Sequence, residues 1–300
     1  MSKYKTTYLT VTLVAALAVT ALVLTPHWGD REQQTPKKQH ENHKKLAKDL
    51  PALRGRGGLV RAGPIDSGSA STNPDQLGTL RGTYTAARVL AAAGALDATP
   101  KWIRQSVKKA THRDDLPESD KITVALVCER LVMDCGDTVE RGQRIAKKFP
   151  VPSTLTRQNM GKWTDAMVTR FEFGFECPET TVQLPNKDAS ELSEPWLHAL
   201  ELLGHVGCEK QLRKLVDPEK LMARTSRSME SGKLVVASRS WYTATLAGAQ
   251  PNREESRRIH NEVQEFRASG TPGLFSSSPE GAANIDATLA GYTLLGLTAP

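Results

Sequence analysis

His205 and Cys208 stand three residues apart, a spacing that allows an imidazole and a thiolate to grip one zinc ion from a single helical turn or loop. Such a site needs at least one further ligand, and Asp134-Cys135 is the other stretch of suitable type. The ordinary alternative is a buried thiol beside a histidine that closes the helix ending at Gly204. Cys128, Cys135, Cys177 and Cys208 form an even set that permits three disulfide pairings. On one unbroken helix Cys128 and Cys135 would lie about 10 Å apart, so that pair requires a chain break near Asp134-Cys135-Gly136. The sequence has no Gly-x-Ser-x-Gly, no His-Glu-x-x-His, no phosphate-binding glycine loop and no dinucleotide fingerprint.

The charge is unevenly placed. Of the net +7, residues 1–28 carry +2 through Lys3 and Lys5, and residues 29–63 carry +5, so residues 64–300 are neutral. A neutral folded region argues against nucleic-acid binding. From Thr7 to Thr25 the chain is uncharged and rich in Leu, Val and Ala, about the length that just spans a bilayer core. Pro26-His27-Trp28 ends the run with a helix stop and an interfacial aromatic. Residues 1–28 therefore read as a transmembrane signal-anchor, with a secreted product after signal cleavage as the alternative. The short basic N-terminus favours placing residues 29–300 outside the cytoplasm, although the basic residues just beyond the span argue the other way.

Residues 29–76 are basic at first and then rich in Gly, Ser and Pro, which reads as a disordered linker with a short helix near His43–Leu50. Its cations suit anionic lipid or a cell-wall polymer as a partner. The histidines His40 and His43 read as solvated.

Residues 77–300 carry the expected fold. Ala- and Leu-rich runs open at Thr83-Tyr84, Thr123-Val124, Lys162-Trp163, Pro195-Trp196, Ser240-Trp241 and Thr288-Leu289. Ala87, Ala199 and Ala244, and then Leu90, Leu202 and Leu295, repeat at helical spacing. Charged amphipathic stretches at Lys101–Ala110, Thr138–Lys148, Glu209–Leu215 and Arg253–Arg267 alternate with them. Gly94, Pro117, Gly136, Pro150, Gly204, Pro251 and Gly296 mark the joints. The fold class is all-α, with about five or six helical hairpins in two layers, and Tyr84, Trp163, Trp196, Trp241 and Tyr292 fall on the inner set.

The stretch from Gly273-Leu274-Phe275 through Pro279-Glu280-Gly281 to Asp286-Ala287-Thr288-Leu289-Ala290-Gly291-Tyr292, with Thr83-Tyr84-Thr85-Ala86-Ala87-Arg88-Val89-Leu90, resembles the repeats of the terpenoid-cyclase and protein-prenyltransferase α/α-toroid family. The resemblance covers roughly residues 77–300. It implies a barrel of paired helices whose inner set lines a cavity for an apolar ligand, with those five aromatics on its wall; an open α-solenoid is the structural alternative. The family's catalytic elements are missing. There is no Asp-x-Asp-Asp, since Asp114-Asp115 lies in the polar Thr111–Asp120 loop, and no Asp-x-Cys zinc element. Gly207-Cys208-Glu209-Lys210-Gln211 resembles the thioester motif of complement-like domains, with Lys210 in place of the usual acid. Glycosidases of toroid shape use a carboxylate pair across the cavity, for which Glu194, Glu201 and Asp286 are candidates. The expectation is a membrane-tethered module that binds a ligand or partner without catalysis and without an assigned cofactor. The alternative is an enzyme on this scaffold acting on a lipid, isoprenoid or glycan.

Overall fold

A computed structural model describes residues 36–61, 78–186 and 191–298. The expected membrane segment at residues 7–25 lies outside the described residues, among which no helix is long and apolar enough to cross a membrane. The described residues are mostly helical, as an all-α reading requires. In chain order the helices are α1 (Pro36–Asp49), α2 (Leu80–Ala92), α3 (Lys101–Thr111), α4 (Glu118–Arg130), α5 (Thr138–Lys148) and α6 (Met160–Glu172). They continue with α7 (Glu194–His205), α8 (Glu209–Leu215), α9 (Pro218–Glu230), α10 (Leu234–Leu246), α11 (Arg253–Val263) and α12 (Ile285–Leu297). Strands β1 (Thr154–Leu155) and β2 (Thr181–Val182) pair in parallel, and β3 (Arg267–Ala268) pairs antiparallel with β4 (Thr271–Phe275).

Sequence dictates which helices go inside. An outer helix buries one narrow stripe: Ile103 and Val107 on α3, Thr138, Gly142 and Ala146 on α5, Ile259 and Val263 on α11. Most inner helices bury a broader face, as α12 does from Ile285 through Leu295, although α6 buries only Trp163, Ala166, Met167 and Thr169. The inner helices pack in a cycle: α2 on α4, α4 on α6, α6 on α7, α7 on α10, α10 on α12, and α12 back on α2. The outer helices α3 and α5 lie on α4, α8 on α7, α9 on α10, and α11 on α12. A close approach occurs at Gly142 of α5, where a Cβ would stand 2.2 Å from that of Ala125 on α4. Helix α9 adds to the helices expected from sequence; its buried stripe mixes Leu221, Met222 and Met229 with Thr225 and Ser228, which blurs the apolar pattern.

The helix ends reflect local chemistry. Thr79, Asp217, Asn252 and Asn284 accept from backbone N–H groups one turn on, which starts α2, α9, α11 and α12. Several helices end with a left-handed residue whose successor donates back five positions, as Cys208 does to Leu203 across Gly207. At the end of α4 the left-handed place is taken by Val132, at φ 50° and 81 % exposed. Helix α4 has already stopped at Arg130, so the chain turns back and Cys135 reaches Cys128 with a Cα separation of 6.2 Å. A second disulfide joins Cys177, after α6, to Cys208, at the start of α8.

The linker boundary needs correction. Residues 36–61 belong to the fold: Leu46, Leu50, Leu53 and Val60 are buried, and α1 packs on β4. The backbone of Gly273 donates to Asp49 Oδ2 at 2.7 Å. The low average hydropathy of this stretch hides a narrow apolar stripe at positions 46, 50 and 53, which is one helix face.

This anchoring and the α4 turn can each be tested by substitution. Asp49→Ala leaves a buried backbone donor without its acceptor and should cost about 1–3 kcal/mol in urea unfolding. Val132→Gly removes a β-branched residue from the left-handed region without losing buried contact. It should gain about 0.5–1 kcal/mol in the same measurement, and a loss would show that the strain is not there.

Candidate functional site

Five of the six inner helices contribute to two cavities, one at each of their ends. Arg81 of α2, Asp165 of α6, His198 of α7, Arg239 of α10 and Asp286 of α12 line a cavity of about 750 Å³. Further along the same helices, Arg88, Phe171, His205, Tyr242 and Leu297 line a second cavity of about 640 Å³. The first set precedes the second on every one of these helices, so all five run in the same direction along the axis. One cavity therefore lies at their N-terminal ends and the other at their C-terminal ends.

From the middle of these helices to the C-terminal cavity runs a layer of charge carried by helices that are otherwise apolar. Glu172, with a side chain 4 % exposed, accepts from Arg130 Nη2 and, at 2.5 Å, from the Tyr84 hydroxyl. Arg88 Nε stands 4.0 Å from the same carboxylate. Two guanidiniums thus face this carboxylate, and Glu201 also attracts Arg88. Burial pushes the Tyr84 phenol far up from its ordinary value, so it stays protonated and donates.

The second acid of the layer, Glu201, accepts from Arg239 Nη1 at 3.0 Å and lies 3.5 Å from His205 Nε2. Burial pushes its carboxyl up, but His205, Arg239 and His198 outweigh burial and hold it well below the usual carboxylate range. His205 belongs to the C-terminal cavity and Arg239 to the N-terminal one, so Glu201 touches a residue of each. The His205 ring is flanked by Phe171, with centroids 4.4 Å apart, and by Tyr242 at 4.7 Å in an edge-on arrangement. Burial, then Glu201, push the Tyr242 phenol up to about 12. The C-terminal cavity is completed by Ala91, Ala92, Leu289 and Tyr292. It offers hydrogen-bond donors and apolar wall, and none of the described residues around it is a thiol.

The sequence candidates separate on this geometry. Tyr292 lines the C-terminal cavity, and Tyr84 supports its charge layer. Trp163, Trp196 and Trp241 are core residues outside both linings; Trp163 Nε1 donates to Thr180 Oγ1 at 3.0 Å. The reason is that large rings fill the layer between inner and outer helices, leaving the axis to the charged side chains. The His205–Cys208 zinc pair is overturned, because the Cys208 sulfur is spent in the disulfide with Cys177 and is no thiolate. The same bond removes the thioester reading, and Gln211 Nε2 donates instead to the Thr180 carbonyl at 2.9 Å. Among the described residues no group of three or more His, Cys, Asp or Glu is placed to hold a metal. Glu194 and Asp286 line the N-terminal cavity, whereas Glu201 sits in the charge layer.

Arg88, Arg130, Glu172, His198, Arg239 and Tyr242 were not anticipated. Their signal in the sequence is a charged or polar residue set inside an Ala- or Leu-rich helix, where it is costly unless another helix supplies its partner.

Burial and then the neighbouring Arg239 hold the His198 imidazole well below its ordinary value of 6.5, so it is neutral in the folded chain. In the unfolded chain the same group takes up a proton as pH falls through 6.5. The unfolded state then binds more protons, and stability falls with falling pH. His198→Gln should remove this part of the acid sensitivity, gaining about 1–2 kcal/mol on the wild type between pH 7 and pH 5 in chemical unfolding. Parallel curves for the two proteins would show that His198 is not buried neutral.

Compared with known proteins, the chain matches no family model, no curated protein and no solved structure.

Proposed function

We propose that the chain is a membrane-tethered α/α-toroid module, held outside the cytoplasm by residues 7–25, that binds an anionic ligand with an apolar body and does not transform it. The ligand enters the cavity at the C-terminal ends of the inner helices. The observation that carries this reading is the convergence of two guanidiniums, Arg88 and Arg130, on the Glu172 carboxylate beside an apolar and aromatic wall. A planar guanidinium suits a carboxylate or phosphate oxygen pair. Phe171, Tyr242, Tyr292, Leu289 and Leu297 then take the apolar body.

The cycle of inner helices supports the toroid over an open solenoid, and it agrees with the family resemblance of the repeats. Two disulfides, with no free cysteine among the described residues, support an oxidising compartment. The tether and the cations of residues 29–63 would keep the module near anionic lipid or a cell-wall polymer. A neutral region from residue 64 onward gives no footprint for nucleic acid.

Isothermal titration of the full chain with decyl phosphate, and with decanol as the neutral counterpart, tests the reading. Decyl phosphate should bind saturably and decanol much more weakly. Arg130→Gln leaves Glu172 paired with Arg88 and Tyr84 and should weaken decyl phosphate by about tenfold, or 1.4 kcal/mol. Equal affinity for both compounds, or indifference to Arg130→Gln, would overturn it. Recovery of an altered ligand by mass spectrometry would move the assignment to an enzyme.

A further inference from the structure

On the outer surface, a groove of about 520 Å³ runs between the α3–α4 turn and α4 on one side and α5 on the other. Its floor is apolar: Leu116 and Val124 lie at the bottom, with half-buried Ile145 and Phe149 along α5. Its rim is cationic. Arg113 and Lys121 stand on one wall and Arg141, Arg144 and Lys148 on the other, against the two acids Asp114 and Glu118. Arg113 is held by Asp115 at 2.6 Å and Arg141 by Asp137 at 3.2 Å. Lys121, Arg144 and Lys148 make no ion pair among the described residues. The last turns of the bounding helices add Lys108, Lys109 and Lys147, against Asp120 and Glu140 in the first turns.

A helix C-terminus attracts cations, and this accounts for Lys147 and Lys148. It does not account for Lys121 on the facing wall, or for Arg141 in the first half of α5. A solvated face also has no need of an apolar floor between two cationic walls. Arg141, Arg144 and Lys148 succeed one another at three and four residues, so they form a row about 10 Å long on one face of α5. A partner helix with carboxylates at the same spacing, and apolar residues beside them, matches both the row and the floor.

We propose that this groove docks an acidic amphipathic segment of a partner protein. The chain's own residues 36–61 carry a cationic excess and are already packed in the fold. A second copy in a twofold arrangement would set cationic rim against cationic rim. A lipid offers one charged headgroup, whereas these cations are spread along the whole groove. A cell-wall polymer brings anions but nothing to fill the floor. The site is on the outer layer, so it stands or falls independently of the axial cavity.

The test is selection of a random peptide library displayed on phage against the full chain, with binding of the enriched peptides then measured on wild type and on Arg144→Glu/Lys148→Glu. Both substituted residues are exposed, and an unchanged thermal melt verifies that the variant folds. Enriched peptides should carry more Asp and Glu than Lys and Arg, with apolar residues three or four apart. They should bind the double variant about tenfold more weakly or worse, as loss of two opposed charges implies. No enrichment, enrichment without acidic bias, or equal binding to both proteins would overturn the proposal. So would a wild-type dimer in sedimentation that dissociates in the variant. Phosphatidylglycerol vesicles, bound through Arg144 and Lys148 while the peptides are indifferent to the substitution, would assign the groove to a lipid surface instead.

Discussion

Six inner helices cannot pack around one axis with charged residues in their midst unless those charges meet each other. Glu172 and Glu201 are the two carboxylates that make this possible. Glu172 joins α6 to α4 through Arg130 and to α2 through Tyr84 and Arg88. Glu201 joins α7 to α10 through Arg239 and lies against His205 one turn on. An isolated carboxylate in such surroundings would be several kcal/mol unfavourable, so each contact fixes the rotation of the helix that supplies it. Rotating α2 by one residue, about 100°, would carry Arg88 away from Glu172 and bring an alanine to the axis. The apolar stripes alone tolerate such slippage; the charges do not.

That rotation also sorts the aromatic residues. With Arg88, Glu201 and Arg239 turned toward the axis, the opposite faces of the same helices meet the outer layer. There Trp163, Trp196 and Trp241 are enclosed by apolar neighbours. Outer helices need only a narrow stripe to cover them, which is why α3, α5 and α11 can remain heavily charged elsewhere. The disulfides act at the joints of this two-layer arrangement: Cys128–Cys135 closes the turn after α4, and Cys177–Cys208 ties the exit of α6 to the start of α8. Both reduce the freedom of the unfolded chain more than they add contact in the folded one.

Much of the layering was legible because it depends on local pattern. The six inner starts fall within α2, α4, α6, α7, α10 and α12, and the four charged stretches coincide with α3, α5, α8 and α11. Gly94 after the first apolar run and Pro117 before the second are boundary signals that work over a few residues, whereas Gly204 lies inside α7. The parts that were not legible depend on contacts between distant residues. Asp49 meets Gly273 across more than two hundred positions, so the place of α1 in the core has no local marker beyond three leucines. Cys208 looks reactive while its neighbours alone are considered, and only the return of the chain at Cys177 shows that its sulfur is consumed. The axial cluster escapes a sequence reading for the same reason. Arg130 and Glu172 each look like a solvated residue at a helix end until the cycle of helices brings those ends together.

The parallel run of the inner helices makes the two ends of the axis unlike. Backbone N–H groups point toward the N-terminal cavity and carbonyls toward the C-terminal one, so the helix dipoles favour cations at the latter. Arg130, the last residue of α4, sits where that field is strongest, and Arg88 lies within the last two turns of α2. The field helps hold two guanidiniums around the Glu172 carboxylate, and it falls off within a turn. At the opposite end Asp165, Glu194 and Asp286 balance Arg81, Lys233 and Arg239, and His198 is kept neutral. Glu201, in contact with Arg239 of one cavity and His205 of the other, is the carboxylate that the two linings share.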